Sequence, residues 1–174
     1  MRIGIDLGGT KIEIAVLDAD GAITLRRRVP TPRASYDDTI RALRDLVAGV
    51  EETLGEKPSV VIAIPGSISS CTALVKNANS TQLIGHAFDR DLAEAVGRPV
   101  RVANDANCFA LSESRDGAGA GQDVVYGVIA GTGVGGGVCV QGRILEGAHG
   151  IGGEWGHNPL PWPTLEEVTA APDC

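Results

Sequence analysis

What this chain has little of narrows its reading first. Aromatic residues make up 3% of its 174 residues, and there is one methionine. Few flat faces are therefore available for stacking on bases. A formal net charge of −7 also removes the electrostatic footing for a general nucleic-acid or anionic-membrane surface. Cysteine is sparse, and Cys71, Cys108, Cys139 and Cys174 contain no Cys-x-x-Cys pair. Cys108 and Cys139 stand among apolar neighbours, as small core residues do. This is the usage of a reducing cytoplasm rather than of a disulfide framework. No signal-peptide pattern opens the sequence, because Asp6 interrupts an apolar run that is already short. The uncharged stretch Val124–Gly142 is long enough to suggest a membrane span, but its seven glycines and turn chemistry argue against one.

Glycine, in contrast, is abundant at 24 residues, which points to an α/β protein with tight loops around a nucleotide or sugar. The length fits one domain by size and allows a sizeable core. The stretch Arg2–Lys11 reads RIGIDLGGTK. Ile3, Gly4 and Ile5 predict a short buried strand, with the Asp6 carboxylate at its end. Gly8 and Gly9 predict a tight turn, and Thr10 and Lys11 add a hydroxyl and a cation. Glycine lets backbone N–H groups approach an anion closely, and a neighbouring carboxylate suits Mg²⁺. Gly-Gly alone reads as an ordinary hairpin; the added Asp, Thr and Lys turn the reading toward phosphate.

The rest of the chain supplies an α/β order. Ile12–Leu17 alternates with period two, Asp18–Gly21 is a turn, and Ala22–Val29 is a third antiparallel strand ended by Pro30 and Pro32. Arg26, Arg27 and Arg28 fit a solvated edge strand more simply than a binding patch. Ser35 opens a helix with Asp38 at capping-box spacing, and Ile40, Leu43, Val47, Val50 and Leu54 form its apolar stripe up to Gly55. Ser59–Ile64 predicts a strand buried on both faces, followed by Pro65-Gly66-Ser67, a place where such folds bind ligands. The loop Lys76–Thr81 concentrates amides. Asp89–Val96 is a short helix and Val100–Ala103 a strand. Asn104 and Asp105 then start a helix that ends near Gly117, and either residue serves as a plain N-cap. Residues 116–122 read as a flexible connector. Val124–Ala130, the glycine turn Gly131–Gly137 and a return strand Val138–Val140 repeat the plan of residues 3–17, as in a duplicated fold whose halves clamp one polyphosphate. Glu154 and His157, among the glycines of His149–Trp162, suit a polyhydroxylated ligand or a metal. The tail from Pro163 is acidic.

Taken together, GIDLGGTK at 4–11, PGSIS at 65–69, KNANST at 76–81, NDAN at 104–107, GTGVGGG at 131–137 and GEWGHNPLPW at 153–162 resemble the N-terminal part of a ROK-family sugar kinase. KNANST and GEWGHNPLPW tilt the resemblance toward bacterial fructokinases of the manno(fructo)kinase type. It implies an actin/hexokinase-like, ribonuclease H-like α/β fold, β-β-β-α-β-α-β-α over residues 1–117, with residues 118–174 as the truncated beginning of a second similar domain. It also implies ATP-dependent phosphorylation of a hexose, most of all fructose, with mannose, glucose and N-acetylhexosamines as alternatives. Asp105 would be the general base. Gly4, Ile5, Asp6, Leu7, Gly8, Gly9, Thr10 and Lys11 would form the first phosphate motif. Gly131, Thr132, Gly133, Val134, Gly135, Gly136 and Gly137 would form the second. Gly66, Asn79, Asn104, Asp105, Glu154 and His157 would line the sugar site. Asp6 would hold Mg²⁺. His157, and Cys174 where a Cys-x-Cys-Gly-x-x-Gly-Cys segment should begin, would ligate a structural Zn²⁺.

The chain departs from the family's pattern where that segment should continue, without its further cysteines, the glutamate after them and the adenine-binding half. The expectation is a piece of a longer cytoplasmic protein, a homodimer when whole, acting on a sugar and ATP, with no nucleic acid or membrane as partner. The 174-residue chain alone is not expected to be a competent kinase. Sugar-responsive repressors of the same family carry a helix-turn-helix ahead of the first phosphate motif, which here starts at Gly4. A noncatalytic sugar- or nucleotide-binding module is the other alternative, and the intact Asp105, Lys11 and glycine turns speak against it.

Overall fold

Period-two alternation builds the first hairpin. In β1 (Arg2–Leu7), Ile3, Ile5 and Leu7 are buried, and in β2 (Lys11–Leu17), Ile12, Ile14 and Val16 join them on the same face. The computed structural model describes residues 1–170 apart from Asn79, Thr132, His157, Pro159 and Leu160. The chain divides into two compact units, Met1–Cys108 and Phe109–Cys174.

In the first unit, Asp18 accepts hydrogen bonds from the N–H groups of Asp20 and Ala22 through Oδ1, at 3.0 and 2.9 Å, and turns the chain into β3 (Ile23–Pro30). The basic run on β3 is split by the pleat. Arg26 and Arg28 pair with Glu13 of β2, while Arg27 donates to the Gly49 carbonyl at 3.1 Å and to Thr53 Oγ1 at 2.7 Å. Gly49 and Thr53 belong to α1 (Tyr36–Leu54), so Arg27 ties the edge strand to a helix. Ser35 caps α1 by accepting from Asp38 N–H at 3.1 Å, and Gly55 closes it with φ of 69°. Its buried stripe is Thr39, Leu43, Val47 and Val50, with Ile40 and Leu54 packed at the margin.

β4 (Ser59–Ile64) leads through a small hairpin, β5 (Ser67–Ile68) with β6 (Val75–Lys76), and a 3₁₀ turn at Thr81–Leu83 to α2 (Phe88–Val96) and β7 (Val100–Asn104). The sheet order is β3-β2-β1-β4-β7, antiparallel among β1, β2 and β3 and parallel from β1 through β4 to β7. Leu43, Val47 and Val50 of α1 and Phe88 and Leu92 of α2 cluster with the inward residues of β1, β2 and β4. The expectation that β4 is buried on both faces fails: Val60, Ile62 and Ile64 are buried beneath the helices, but Val61 is 37% exposed. Tyr36 links the two helices, stacking on His86 with ring centroids 3.7 Å apart and donating to Asp91 Oδ2 at 2.8 Å. That burial and that bond push the phenol well above its ordinary pKa.

β7 runs without a loop into α3 (Asp105–Arg115), which crosses from the first unit into the second. The second unit is an antiparallel sheet of β8 (Val124–Ala130), β9 (Val134–Val140) and β10 (Arg143–Ile144), in the order β10-β9-β8. The return strand begins at Val134, not Val138, and Gly135, Gly136 and Gly137 pair with Ile129, Val128 and Gly127. Close approach explains two glycines of this hairpin, Gly127 and Gly136. A side chain at Gly127 would stand 3.0 Å from the Ala110 Cα of α3, and one at Gly136 would stand 2.6 Å from the Gly153 carbonyl oxygen. Cys139 is buried, as expected, with Sγ 3.1 Å from Ser114 Oγ; Cys108 is half-buried. The acidic tail carries α4 (Leu165–Ala170), opened by a reciprocal cap in which Thr164 N–H donates to Glu167 Oε2 at 2.8 Å. Among the described residues no helix is long and apolar enough to cross a membrane.

Candidate functional site

Three neighbouring parallel strands of the first unit end at the same edge of its sheet. Asp6 pairs with Ala63, and Ala63 with Ala103. The carboxyl ends of β1, β4 and β7 therefore bring together the Asp6–Lys11 turn, the Pro65–Gly66 bend and the Asn104–Asp105 step. Such an edge, where chain leaves parallel strands, is a natural ligand position.

Gly66 is fixed at this edge by crowding. Its φ is 149°, and a Cβ there would lie 2.9 Å from both Ala78 Cα and the Lys76 carbonyl oxygen. Its own carbonyl accepts from Asn104 Nδ2 at 3.2 Å, so the residue after β4 is tied to the end of β7. Asn104 is the helix cap: its Oδ1 accepts from Asn107 N–H at 2.9 Å. That frees Asp105, one position on, from the capping role the sequence left open for either residue. Asp105 Oδ1 accepts from Ala106 N–H at 2.8 Å and from Asn104 Nδ2 at 3.3 Å, the carboxylate also draws on its own N–H, and Oδ2 takes no hydrogen bond from another described residue. Burial raises the Asp105 carboxyl above the usual carboxylate range, the Ala106 bond opposes the rise, and the charge of Asp6 adds to it. Asp6 reaches solvent, yet neighbouring chain withdraws enough water to raise its carboxyl too. Glu13 adds to that rise, and Lys11 and Arg28 oppose it.

Within the first phosphate motif, Gly4, Ile5, Asp6 and Leu7 are β1 residues, and Ile5 and Leu7 point into the core. The groups left for a ligand are the Asp6 carboxylate and the turn itself. Gly8 N–H donates to the Lys11 carbonyl at 3.0 Å, Gly9 and Thr10 are exposed, and a Cβ on Gly9 would meet nothing within 4 Å. The turn is open around Gly9. In the second unit, Gly131 N–H donates to the Gly133 carbonyl at 2.9 Å, while Val134, Gly135, Gly136 and Gly137 lie in β9. Glu154 is exposed, on a loop joined to the sheet by Trp155 Nε1 donating to the Gly135 carbonyl at 3.1 Å and Tyr126 donating to the Gly153 carbonyl at 3.0 Å.

Asn79, Thr132, His157 and Cys174 lie outside the described residues, and the zinc reading with them. Among the described residues no three His, Cys, Asp or Glu side chains come together as a metal group. Two further residues lie in the quoted motifs, Ser67 in the bend already named for ligands and Asn107 without a role assigned from sequence. Ser67 Oγ and Asn107 Oδ1 are buried without a hydrogen-bond partner among the described residues. An unmet buried oxygen costs about 1–3 kcal/mol, so both are places for water or a ligand hydroxyl. Ser67 lies in PGSIS and Asn107 in NDAN; the signal was their position beside Gly66 and Asp105.

The sequence profile of the ROK family matches residues 2–174. An N-acetyl-D-glucosamine kinase of Yersinia enterocolitica is 45% identical over 170 residues, covering 98% of this chain and 56% of the relative. An N-acetyl-D-glucosamine kinase of Pectobacterium atrosepticum is 43% identical over 168 residues, covering 97% and 55%. A crystal structure of a ROK family glucokinase from Streptomyces griseus, in complex with glucose and AMPPNP, matches with a TM-score of 0.82 at 34% identity, covering 94% of this chain and 52% of that one. The chain spans about half the length of the curated relatives it matches. The likeness bears out the expected actin/hexokinase-like fold.

Proposed function

The chain belongs to the ROK family, and on that premise we propose that the protein carrying it transfers the γ-phosphoryl group of ATP to a hydroxyl of a hexose, with N-acetyl-D-glucosamine the preferred acceptor. One observation carries the reaction class. Asp105 is a half-buried carboxylate at a strand-to-helix step, raised in pKa, held through Oδ1 and open at Oδ2. A sugar hydroxyl is a poor nucleophile at neutral pH. As its oxygen bonds to the γ-phosphorus and the bond to the β–γ bridging oxygen breaks, releasing ADP, Asp105 Oδ2 takes the hydroxyl proton. General-base help of this kind is worth about 10²–10⁴-fold, and a raised pKa makes the base stronger. Asn104 holds the carboxylate's orientation by bridging it to Gly66. The turn amides and the Lys11 ammonium face the phosphates.

A divalent cation bound with ATP supplies charge neutralisation on the transferring phosphoryl group. The residues fit one, since Asp6 and Asp105 are two carboxylates at one sheet edge and the first raises the pKa of the second. Asp6 is the residue that would hold it.

N-acetyl-D-glucosamine replaces the fructose expected from the sequence because both relatives at 43–45% identity carry that activity in their names, and fructose has no such support among them. The test is a coupled ATP-consumption assay of the full-length protein across N-acetyl-D-glucosamine, N-acetylmannosamine, glucose, mannose and fructose. Turnover highest on N-acetyl-D-glucosamine is expected. Turnover highest on fructose would restore the earlier expectation, and consumption with no sugar would overturn the kinase reading.

A further inference from the structure

The first glycine turn is gripped from behind by the chain that leaves β3. Thr31 Oγ1 donates to the Gly8 carbonyl at 2.7 Å, Arg33 Nε to the Gly9 carbonyl at 3.0 Å, and Thr31 N–H to the Thr10 carbonyl at 3.1 Å. Three consecutive carbonyls of the turn are thus taken by two residues. In a planar trans peptide the C=O and the following N–H point in opposite directions. Holding the carbonyls of Gly8, Gly9 and Thr10 toward residues 31–33 therefore aims the N–H groups of Gly9, Thr10 and Lys11 away from them. Neither Gly9 N–H nor Thr10 N–H has an intramolecular acceptor among the described residues.

The grip is itself anchored. Thr31 is 8% exposed, so water competes little for its hydroxyl. Pro30 and Pro32 flank it and restrict the backbone on both sides. The hydroxyl of the buried Thr39 of α1 lies 3.2 Å from the Ser35 carbonyl and 3.4 Å from the Pro32 carbonyl, a shared contact that brings the segment against the start of the helix.

We propose that Thr31 and Arg33 are positioning residues for nucleotide binding, fixing the carbonyls of the first glycine turn so that its amides are pre-aimed at a terminal phosphate of a nucleoside triphosphate. This rests on the reading of that turn as a phosphate site. Neither residue is a catalytic group. They act through the peptide units they hold, and the gain is the ordering a free turn would otherwise undergo on binding.

The experiment measures binding of AMPPNP with Mg²⁺ and of N-acetyl-D-glucosamine by calorimetry on the full-length protein, with melting temperature alongside. Thr31→Val keeps the shape and removes the hydroxyl donor. It should weaken AMPPNP about tenfold, the worth of one such bond, and leave sugar affinity within about twofold. Thr31→Ser keeps the donor and should restore nucleotide affinity, which a residue needed only for packing would not do. Arg33→Lys keeps the charge but loses the Nε donor, and should weaken AMPPNP by about threefold. Equal losses of both ligands in Thr31→Val, or no rescue by serine, would overturn the positioning role. Full affinity in Arg33→Lys would remove Arg33 from it. If the unsubstituted protein binds the sugar but not AMPPNP, the phosphate reading of the turn fails and this proposal with it. If it binds AMPPNP and Thr31→Val is unchanged, this proposal alone fails.

Discussion

The two hairpins share a plan, strand, glycine turn, strand, and are braced very differently. In the first, β3 pairs with β2 all the way from Leu17 to Lys11, so its tail arrives at the turn and takes three carbonyls there. In the second, β10 pairs only with Val140 and Cys139, at the end of β9 far from its turn. Among the described residues that turn closes on itself, Gly131 to Gly133, and the nearest side-chain support is Trp155 on Gly135. The cores differ in the same sense. The first unit buries apolar residues from four strands and two helices, whereas Val124, Tyr126 and Val128 of β8 are 61%, 50% and 46% exposed along one face. The lesson is that a repeated motif fixes a backbone path, while the third strand decides how rigidly the turn is presented. By this contrast the fixed parts of the proposed chemistry are assigned to the first unit.

The largest effect should come from removing the base. Asp105→Asn in the full-length protein keeps the shape, the Asn104 cap and the contact with Gly66, but loses the proton acceptor. Phosphoryl transfer should fall by at least about 10²-fold, while sugar affinity stays within about tenfold. Steady-state kinetics and calorimetry give the two numbers. Substantial remaining turnover would mean that the base lies elsewhere, and the assignment of the chemistry to the first unit would go with it.

Next in size are substitutions at glycines whose surroundings differ. Gly127→Val drives a side chain into α3, and overpacking of this kind costs about 1–3 kcal/mol, read as a lowered melting temperature. Gly9→Val meets open space, so the fold should be untouched, within about 0.5 kcal/mol. The loss should be in nucleotide affinity, because under the proposed function the new side chain stands where a phosphate approaches. A stability loss at Gly9 equal to that at Gly127 would show that the first turn is packed, not open.

The same glycines show what could be read from the residues alone. Period-two strands, the Ser35–Asp38 cap and the Gly55 stop were legible because each signal is local. Gly135, Gly136 and Gly137 read as turn because glycine is rare in strands, and what makes them strand residues is their pairing with β8, with Gly153 lying close over Gly136, which no window of sequence displays. The β5–β6 hairpin and the β4 face exposed at Val61 were missed for the same reason. α4 was legible in principle, since Thr164 and Glu167 stand at capping-box spacing. At the site, Asp6, Gly66, Asn104 and Asp105 were recognisable from their motifs. Thr31 and Arg33 were not: Thr31 between two prolines and Arg33 just after them look like the end of a strand, and their partners lie 23 and 24 residues back. KNANST and GEWGHNPLPW tilted the expectation toward fructose, whereas the relatives at 43–45% identity are N-acetyl-D-glucosamine kinases; under the proposed mechanism every hexose needs the same base and the same fixed amides.

The smallest effect is the most discriminating, because it asks whether Asp105 serves folding or chemistry. Two aspartates stand in the first turn of a helix, with opposite electrostatics. Asp38 of α1 is held below the ordinary range by hydrogen bonds from Ser35 and Arg41. Its charge therefore helps folding above the unfolded carboxylate pKa, and that help is lost as pH falls through the folded value. Asp105 of α3 is raised above the model-compound value of 3.8, burial being the largest cause. A raised folded pKa means that the folded state binds the proton more tightly. Its contribution is favourable below the unfolded pKa and is lost as pH rises through the folded one. At pH 7 the Asp105 charge is a burden on the fold. Asp105→Asn should accordingly melt slightly higher than the unsubstituted protein at pH 7, and the gap should close as pH approaches 3.8. Asp38→Asn should melt lower at pH 7, with its gap closing in the same direction. The rate of phosphoryl transfer should fall with acid at a higher pH than an unperturbed carboxylate would give, since the base must be unprotonated. Melting curves from pH 3.5 to 8 and a kcat/KM profile test all three. If Asp105→Asn melts lower at pH 7 and the deficit persists in acid, Asp105 serves the start of its helix structurally, and the base must be sought among other groups at the strand ends.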